Sequence, residues 1–313
     1  MSDDARSPAM EPPVWARFMR EGEWPAFVAA VDAELQRRGW QYRIEDGYVW
    51  APWGGDTDEA LSLLNLAQLC HAAEADQLER VIASHFDALV AGRTDRVLAD
   101  TLAGDLPRAR PHLKVRLYPR ETFRDEADQF VVRDVADDLC AVLCFDLPSN
   151  VVTVNAESLE RWACTADDVW YQALANLRRT EHHEVEDVDV GGATLRAMTG
   201  DSFFVASNLL LLGDFVDDPP AWGVLAAVPN RHTLVFHPIR DASALRAIDA
   251  MVVMASGMCA EGPGSISPNL FWWRDGVLRT LPTHEAEDHY EFVPPDDFVT
   301  EVLEPLAERQ TMN

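Results

Sequence analysis

Lysine is almost missing: in 313 residues only Lys114 carries an ammonium, and 26 basic side chains face 53 acidic ones, for a formal net charge of -27. A field of that sign repels phosphate backbones and anionic membrane surfaces, so nucleic-acid or lipid binding would need a local basic face. No stretch of the chain supplies one, and neither nucleic acid nor membrane is expected as a partner. A single lysine excludes a Gly-Lys-Ser/Thr phosphate loop. It also argues against Schiff-base chemistry, because Lys114 sits in the alternating, strand-like run Leu113-Lys114-Val115-Arg116-Leu117. Cysteine is sparse as well. Cys70, Cys140, Cys144, Cys164 and Cys259 form an odd set without CxxC spacing and read as reduced core thiols. No apolar run approaches the roughly eighteen residues of a membrane span. Asp3, Asp4 and Glu11 stand where a signal peptide needs basic and then apolar residues, so a cytoplasmic location is expected.

What is present is enough apolar residue, 48% of the chain, to bury a sizeable core in one large domain or two ordinary ones. Trp24, Phe27, Val28, Val31 and Leu35 fall at helical spacing, followed by alternation around Asp46-Gly47, a hairpin dipeptide. The run from Leu61 to Leu69 fits strand or helix, whereas Leu78, Val81, Ile82, Phe86 and Leu89 mark a helix. A Gly-, Asp-, Pro- and Arg-rich stretch at 92–112 reads as a linker. Beyond it, Leu139 to Phe145 and Val151 to Val154 form a strand pair, and Thr165-Ala166-Asp167-Asp168 reads as a capping box. Further strand pairs are expected at 193–198 with 202–206, 224–228 with 233–236, and 270–273 with 277–281, with helices at 207–212 and 243–258. This rhythm predicts an α+β fold of mainly antiparallel sheets in helix-plus-hairpin units, with two sheets and two packed subdomains. The expected organisation is a head at 1–13, an α+β subdomain at 14–105, a larger one at 112–281, and an acidic C-terminal segment with a helix at 282–313.

Candidate chemistry is thin. His284, Glu285 and His289 resemble an HExxH zinc motif, but the histidines are five apart where one helical face needs four. His182 and His183 lie in the acidic run Glu181 to Asp189, and adjacent side chains point apart in regular structure, so an exposed acidic connection is the expectation there. No metal and no cofactor are therefore favoured. Gly200-Asp201-Ser202 resembles an esterase nucleophile block, yet no histidine has an aspartate three positions before it, and Gly200-Asp201 reads better as a hairpin turn. Ser265 lies in the sharpest Gly/Pro loop, a weak anion-binding candidate. Trp222, Trp272 and Trp273, among ten tryptophans, could line a ligand pocket or partner surface, though most tryptophans are core residues.

The order of several motifs resembles the YtpQ-like bacterial family, a domain of unknown function. These are the Leu61 to Leu69 run before the helix from Ala75 to Val90, and the strand Lys114 to Tyr118 before Glu121-Thr122-Phe123. They continue with the helix Val169 to Leu177, Val224 to Asn230 with Thr233 to Phe236, and Ser265 to Pro268 leading into Leu270 to Gly276. The resemblance covers roughly 40–281 and implies a fold, but no activity and no site residues.

The first functional expectation is a non-enzymatic interaction protein whose acidic surface docks a basic macromolecule, as an immunity or inhibitor protein would. A hydrolase or transferase assembled from scattered His, Asp and Glu residues, metal-assisted or not, is the second. A small-molecule sensor with an aromatic pocket is the third. Exposed sheet edges also make a homodimer an expectation.

Overall fold

The computed structural model describes residues 11–20, 22–51, 59–286 and 290–311. These fall into two compact units, residues up to Arg93 with 261–263, and Thr94 onward without those three. The first unit holds α1 (Glu23–Arg37), the sheet of β1 (Arg43–Glu45), β2 (Tyr48–Ala51) and β3 (Glu59–Ser62), and α2 (Leu64–Ala72). Phe27, Val31 and Leu35 of α1 pack with Val49, Leu66, Ile82 and Phe86 in its core. Asp46-Gly47 does turn the β1–β2 hairpin, Asp46 with φ 48° and Gly47 with φ 81°. The ambiguous run from Leu61 is both things in turn, strand to Ser62 and helix from Leu64.

The stretch 92–112 is not a loop. The helix α3 (Leu78–Leu102) runs through most of it, followed by α4 (Leu106–Ala109) and a tight 3-10 turn at Arg110–His112. Pro107 falls in the first turn of α4, where its missing N–H costs nothing, and Asp105 accepts from Arg108 N as N-cap.

The second unit is built on two antiparallel sheets. One contains β4 (Leu113–Pro119), β5 (Val132–Ala136), β6 (Leu139–Asp146) and β7 (Val151–Thr153). Next in the chain are α5 (Glu157–Trp162), α6 (Ala166–Thr180), β8 (Val185–Asp189), β9 (Thr194–Thr199), β10 (Val224–Ala227) and β11 (Thr233–Pro238). After α7 (Ser243–Glu261) come β12 (Leu270–Arg274) and β13 (Val277–Leu281), completing a six-stranded sheet ordered β13-β12-β10-β11-β9-β8. Leu113, Val115 and Leu117 meet Leu143, Ala226, Leu234 and Phe236 in the main core between these sheets. The other face of the larger sheet is covered by α7 and by the C-terminal helices α8 (Asp296–Phe298) and α9 (Glu304–Thr311), through Met251, Ala255, Phe298 and Leu306. Helix α7 has the length and composition of a membrane span, against the expectation that none exists, but Ala244, Ala247, Met251 and Ala255 are fully buried in this core.

The fold is thus α+β and antiparallel, as the pattern indicated, but with four sheets among the described residues instead of two. In the expected acidic C-terminal segment, β14 (Thr283–Glu285) pairs antiparallel with β15 (Tyr290–Phe292). The segment 202–206 is not a strand. Ser202 Oγ accepts from Phe204 N, and the chain turns into a 3-10 stretch at Ala206–Phe215, while β9 pairs with β8 and β11. Gly223, at φ 81°, is required where β10 begins: a Cβ there would lie 2.4 Å from the Trp273 carbonyl oxygen.

The capping box of α6 is formed. Thr165 Oγ1 accepts from Asp168 N, and the Asp168 carboxylate accepts from Thr165 N. Thr165→Ala is expected to lower unfolding free energy by about 1 kcal/mol, read as a drop in urea midpoint. An unchanged midpoint would mean that α6 is held by its buried face alone.

Candidate functional site

Strand β4 alternates Leu113, Val115 and Leu117 with Lys114, Arg116 and Tyr118, and a period of two sends the sets to opposite faces. The apolar set enters the main core. The polar set stands over Cys144, Val142 and Cys140, its cross-strand partners on β6. Three other segments converge on this face: Glu181 just beyond α6, Ser202 to Phe204 after β9, and Arg231-His232 between β10 and β11. Backbone bonds from Gly200 N to His232 O and from Ala206 N to Arg231 O, both 3.2 Å, tie the last two together.

At one end the lone lysine is neutralised. Lys114 is 5% exposed and Glu181 7%. The ammonium donates to Glu181 Oε1 and lies 2.7 Å from Asp146 Oδ2, with the Phe204 ring centroid 4.7 Å away. Glu181 Oε2 also meets His183 Nε2 at 3.1 Å, and Ser202 bonds to the same carboxylate. Burial pushes the Glu181 carboxyl up, but the bonds from Lys114 and Ser202, the lysine charge and His183 together outweigh it and hold it below the ordinary carboxylate range.

At the other end, charge is left over. The Arg116 guanidinium lies 4.7 Å from the Tyr118 centroid and 5.6 Å from that of Phe203, and the Arg231 guanidinium 4.5 Å from Phe203. No carboxylate among the described residues pairs with either arginine. Arg116 Nε is buried with no hydrogen-bond partner, and Arg231 Nε donates only to His232 Nε2, at 2.9 Å. His232 Nδ1 donates to the Gly200 carbonyl at 3.1 Å, so its Nε2 accepts and the ring is neutral. Burial and then the adjacent Arg231 charge lower the His232 pKa, in keeping with that tautomer. Burial and then the Arg116 charge push Arg231 down to about 10, which leaves it cationic at neutral pH. Burial raises the Tyr118 phenol, so it remains a neutral group. Buried charges are ordinarily paired, and this chain has twice as many acids as bases. Two half-buried guanidiniums without a carboxylate are therefore the exception in this molecule.

The structure joins two motifs that the sequence kept apart, since Ser202 and Gly200 of the esterase-like block lie against Glu181 and His183. It does not make a triad of them: Ser202 reaches the carboxylate of Glu181, and Asp201 is exposed. Glu181 is not part of an exposed acidic connection but a buried ion-pair partner; His182 is exposed and His183 half-buried. His284 is exposed on β14 opposite Glu291, Glu285 follows it in that strand, and His289 lies outside the described residues. Among the described residues, no three His, Cys, Asp or Glu side chains assemble as a metal-binding group. Ser265 Oγ donates to the Cys259 carbonyl at 2.6 Å. Trp272 is 3% exposed, its Nε1 donates to Trp222 O, and Trp273 packs half-buried on the main core. Arg309 covers Trp222 at 4.6 Å. Burial pushes the thiols of Cys140 and Cys144 up to about 11 and about 12, which makes them inert.

No family model, curated protein or solved structure matches the chain.

Arg116, Tyr118, Arg231 and His232 were not singled out from sequence. The available signal was the Lys-x-Arg-x-Tyr spacing, three polar groups on one face of a strand whose other face is apolar. Nothing in the sequence pointed to Arg231 meeting that face.

Proposed function

We propose that the chain is a binding protein for a small anionic molecule, seated against Arg116 and Arg231 beside Phe203 and Tyr118. The observation that carries this is the absence, among the described residues, of any carboxylate partner for either guanidinium. Both side chains are long enough to turn toward an acid-rich surface. Packing on aromatic rings holds them together instead, at the cost of their mutual repulsion. A bound anion would offset that repulsion in a partly dehydrated setting, where charge-assisted hydrogen bonds are strong. Binding without turnover is favoured over hydrolysis because Ser202, the serine on this face, bonds to a carboxylate held below its ordinary range and therefore a weak base.

The test is thermal unfolding of the protein and of R116M/R231M across carboxylates, phosphates and sulfates at constant ionic strength. At about a hundred times its Kd a ligand adds about 2.7 kcal/mol of stability. At least one anion should therefore raise the wild-type midpoint by several degrees and leave the double variant unmoved. Equal shifts in both proteins, or none in either, would sink the reading.

A second reading retains the basic macromolecular partner. Strand β8 is the outer strand of the six-stranded sheet, and Glu186, Asp187 and Asp189 are exposed along it. An acidic edge with free backbone groups suits a basic extended segment, and substitutions at Arg116 would leave such docking intact.

A further inference from the structure

We infer that the anion bound at the arginine pair carries an apolar group about the size of a ring, and that this group lies on Phe203. The inference rests on the anion-binding reading above and names the chemistry of the ligand beyond its charged head. Phe203 touches both guanidiniums and is nevertheless 36% exposed. Its outward position is fixed by its neighbours. Phe204 and Val205 are 2% and 0% exposed, Phe204 N donates to Ser202 Oγ, and Ala206 N donates to the Arg231 carbonyl. The turn therefore presents the Phe203 ring to solvent beside two cations.

The uncharged polar groups around it point the same way, because their hydrogen bonds are already made. His232 Nδ1 donates to the Gly200 carbonyl and Nε2 accepts from Arg231, which leaves only ring carbon to a ligand. Ser202 bonds to Glu181, and Tyr118 and Thr153 both bond to the Cys144 thiol. The carbonyls of Arg231 and His232 accept from Ala206 N and Gly200 N. Asp134, in line with Tyr118 and Cys140 across the strands, pairs with Arg120 at 2.8 Å. A ligand rich in hydroxyls would exchange bonds to water for contact with side chains whose polar atoms are engaged, and unpaired polar groups are penalised in a partly dehydrated site. An apolar substituent loses nothing there and removes Phe203 from water. Aryl and alkyl groups share this chemistry, and an aryl ring can in addition stack on a guanidinium plane.

Isothermal titration calorimetry at pH 7 with acetate, benzoate, cyclohexanecarboxylate and gluconate varies the uncharged part while the carboxylate head stays the same. Benzoate is expected to bind at least about tenfold more tightly than acetate, the gain from covering a partly exposed phenylalanine with a ring. Gluconate should bind no more tightly than acetate. In Phe203→Ser the benzoate-to-acetate ratio should fall below about threefold. Cyclohexanecarboxylate matching benzoate identifies plain apolar contact, and weaker binding than benzoate identifies stacking of an aromatic ring. A benzoate-to-acetate ratio near one, or gluconate as the tightest probe, with binding still lost in R116M/R231M, would overturn the apolar inference and leave anion binding standing. A large ratio that Phe203→Ser leaves unchanged would overturn the placement on Phe203. No binding by any probe, or binding that survives in R116M/R231M, would overturn anion binding itself.

Discussion

Lys114→Met should destabilise the protein by about 3–5 kcal/mol at pH 7, because removing one member of a buried ion pair strands the other. Glu181 is 7% exposed, and without the ammonium its burial is no longer offset. Asp146 suffers less, since its side chain is 38% exposed. The loss should depend on pH in a defined direction. The folded-state pKa of Glu181 is depressed, so its contribution is fully present above the ordinary value of 4.5 and disappears as pH falls through the lower folded value. The gap between wild type and variant is therefore wide at pH 7 and narrows below pH 4.5. The double variant K114M/E181M should regain most of the loss, because a methionine pair of similar volume removes the stranded charge. Urea unfolding at pH 7 and pH 4 measures all three proteins. A single-variant loss under about 1 kcal/mol, or a double variant no better than the single, would contradict this role for the pair.

Arg116→Met should do the opposite and raise stability by about 1 kcal/mol. A buried donor without a partner costs about 1–3 kcal/mol, and repulsion from Arg231 adds to it. The ring contacts with Tyr118 and Phe203 return about 0.5–1 kcal/mol each. Methionine keeps much of that ring contact and has no charge to desolvate. Most substitutions destabilise, so a gain in urea midpoint together with lost anion binding would mark Arg116 as a residue kept for its ligand at the expense of the fold. A destabilisation of more than about 1 kcal/mol would make Arg116 a structural residue, kept for its packing on the two rings.

The legible parts of the fold were those with a local cause. Asp46-Gly47, the Thr165–Asp168 box, and the apolar runs at 139–145, 224–228 and 270–273 each specify their own conformation, and each is formed. The 92–112 stretch misled because Pro107 and Gly92 suggest a break, while Pro107 sits in the first turn of α4 and Gly92 is carried within α3. The segment 202–206 misled in another way. Its apolar residues fit a strand, but Phe204, Val205 and Ala206 are buried by a turn that hydrogen bonds to Arg231 and His232, a long-range contact without local signature. The candidate site was hidden for the same reason. Strand periodicity places Lys114, Arg116 and Tyr118 together, but Glu181, Phe203 and Arg231 reach them only through tertiary packing. The histidine clusters drew notice because titratable residues adjacent in sequence are conspicuous. The residues that matter most to the proposal are unremarkable in sequence, and they differ from other arginines by the partners they lack.

Anomalous diffraction from a crystal soaked in selenate, a sulfate-like dianion with a strong signal, tests anion binding at the arginine pair most directly. The predicted result is a selenium peak within hydrogen-bond reach of the Arg116 and Arg231 guanidiniums, beside Phe203, and its loss in R116M/R231M crystals. Selenate bound only elsewhere, with the two guanidiniums turned onto carboxylates of the protein itself, would contradict it.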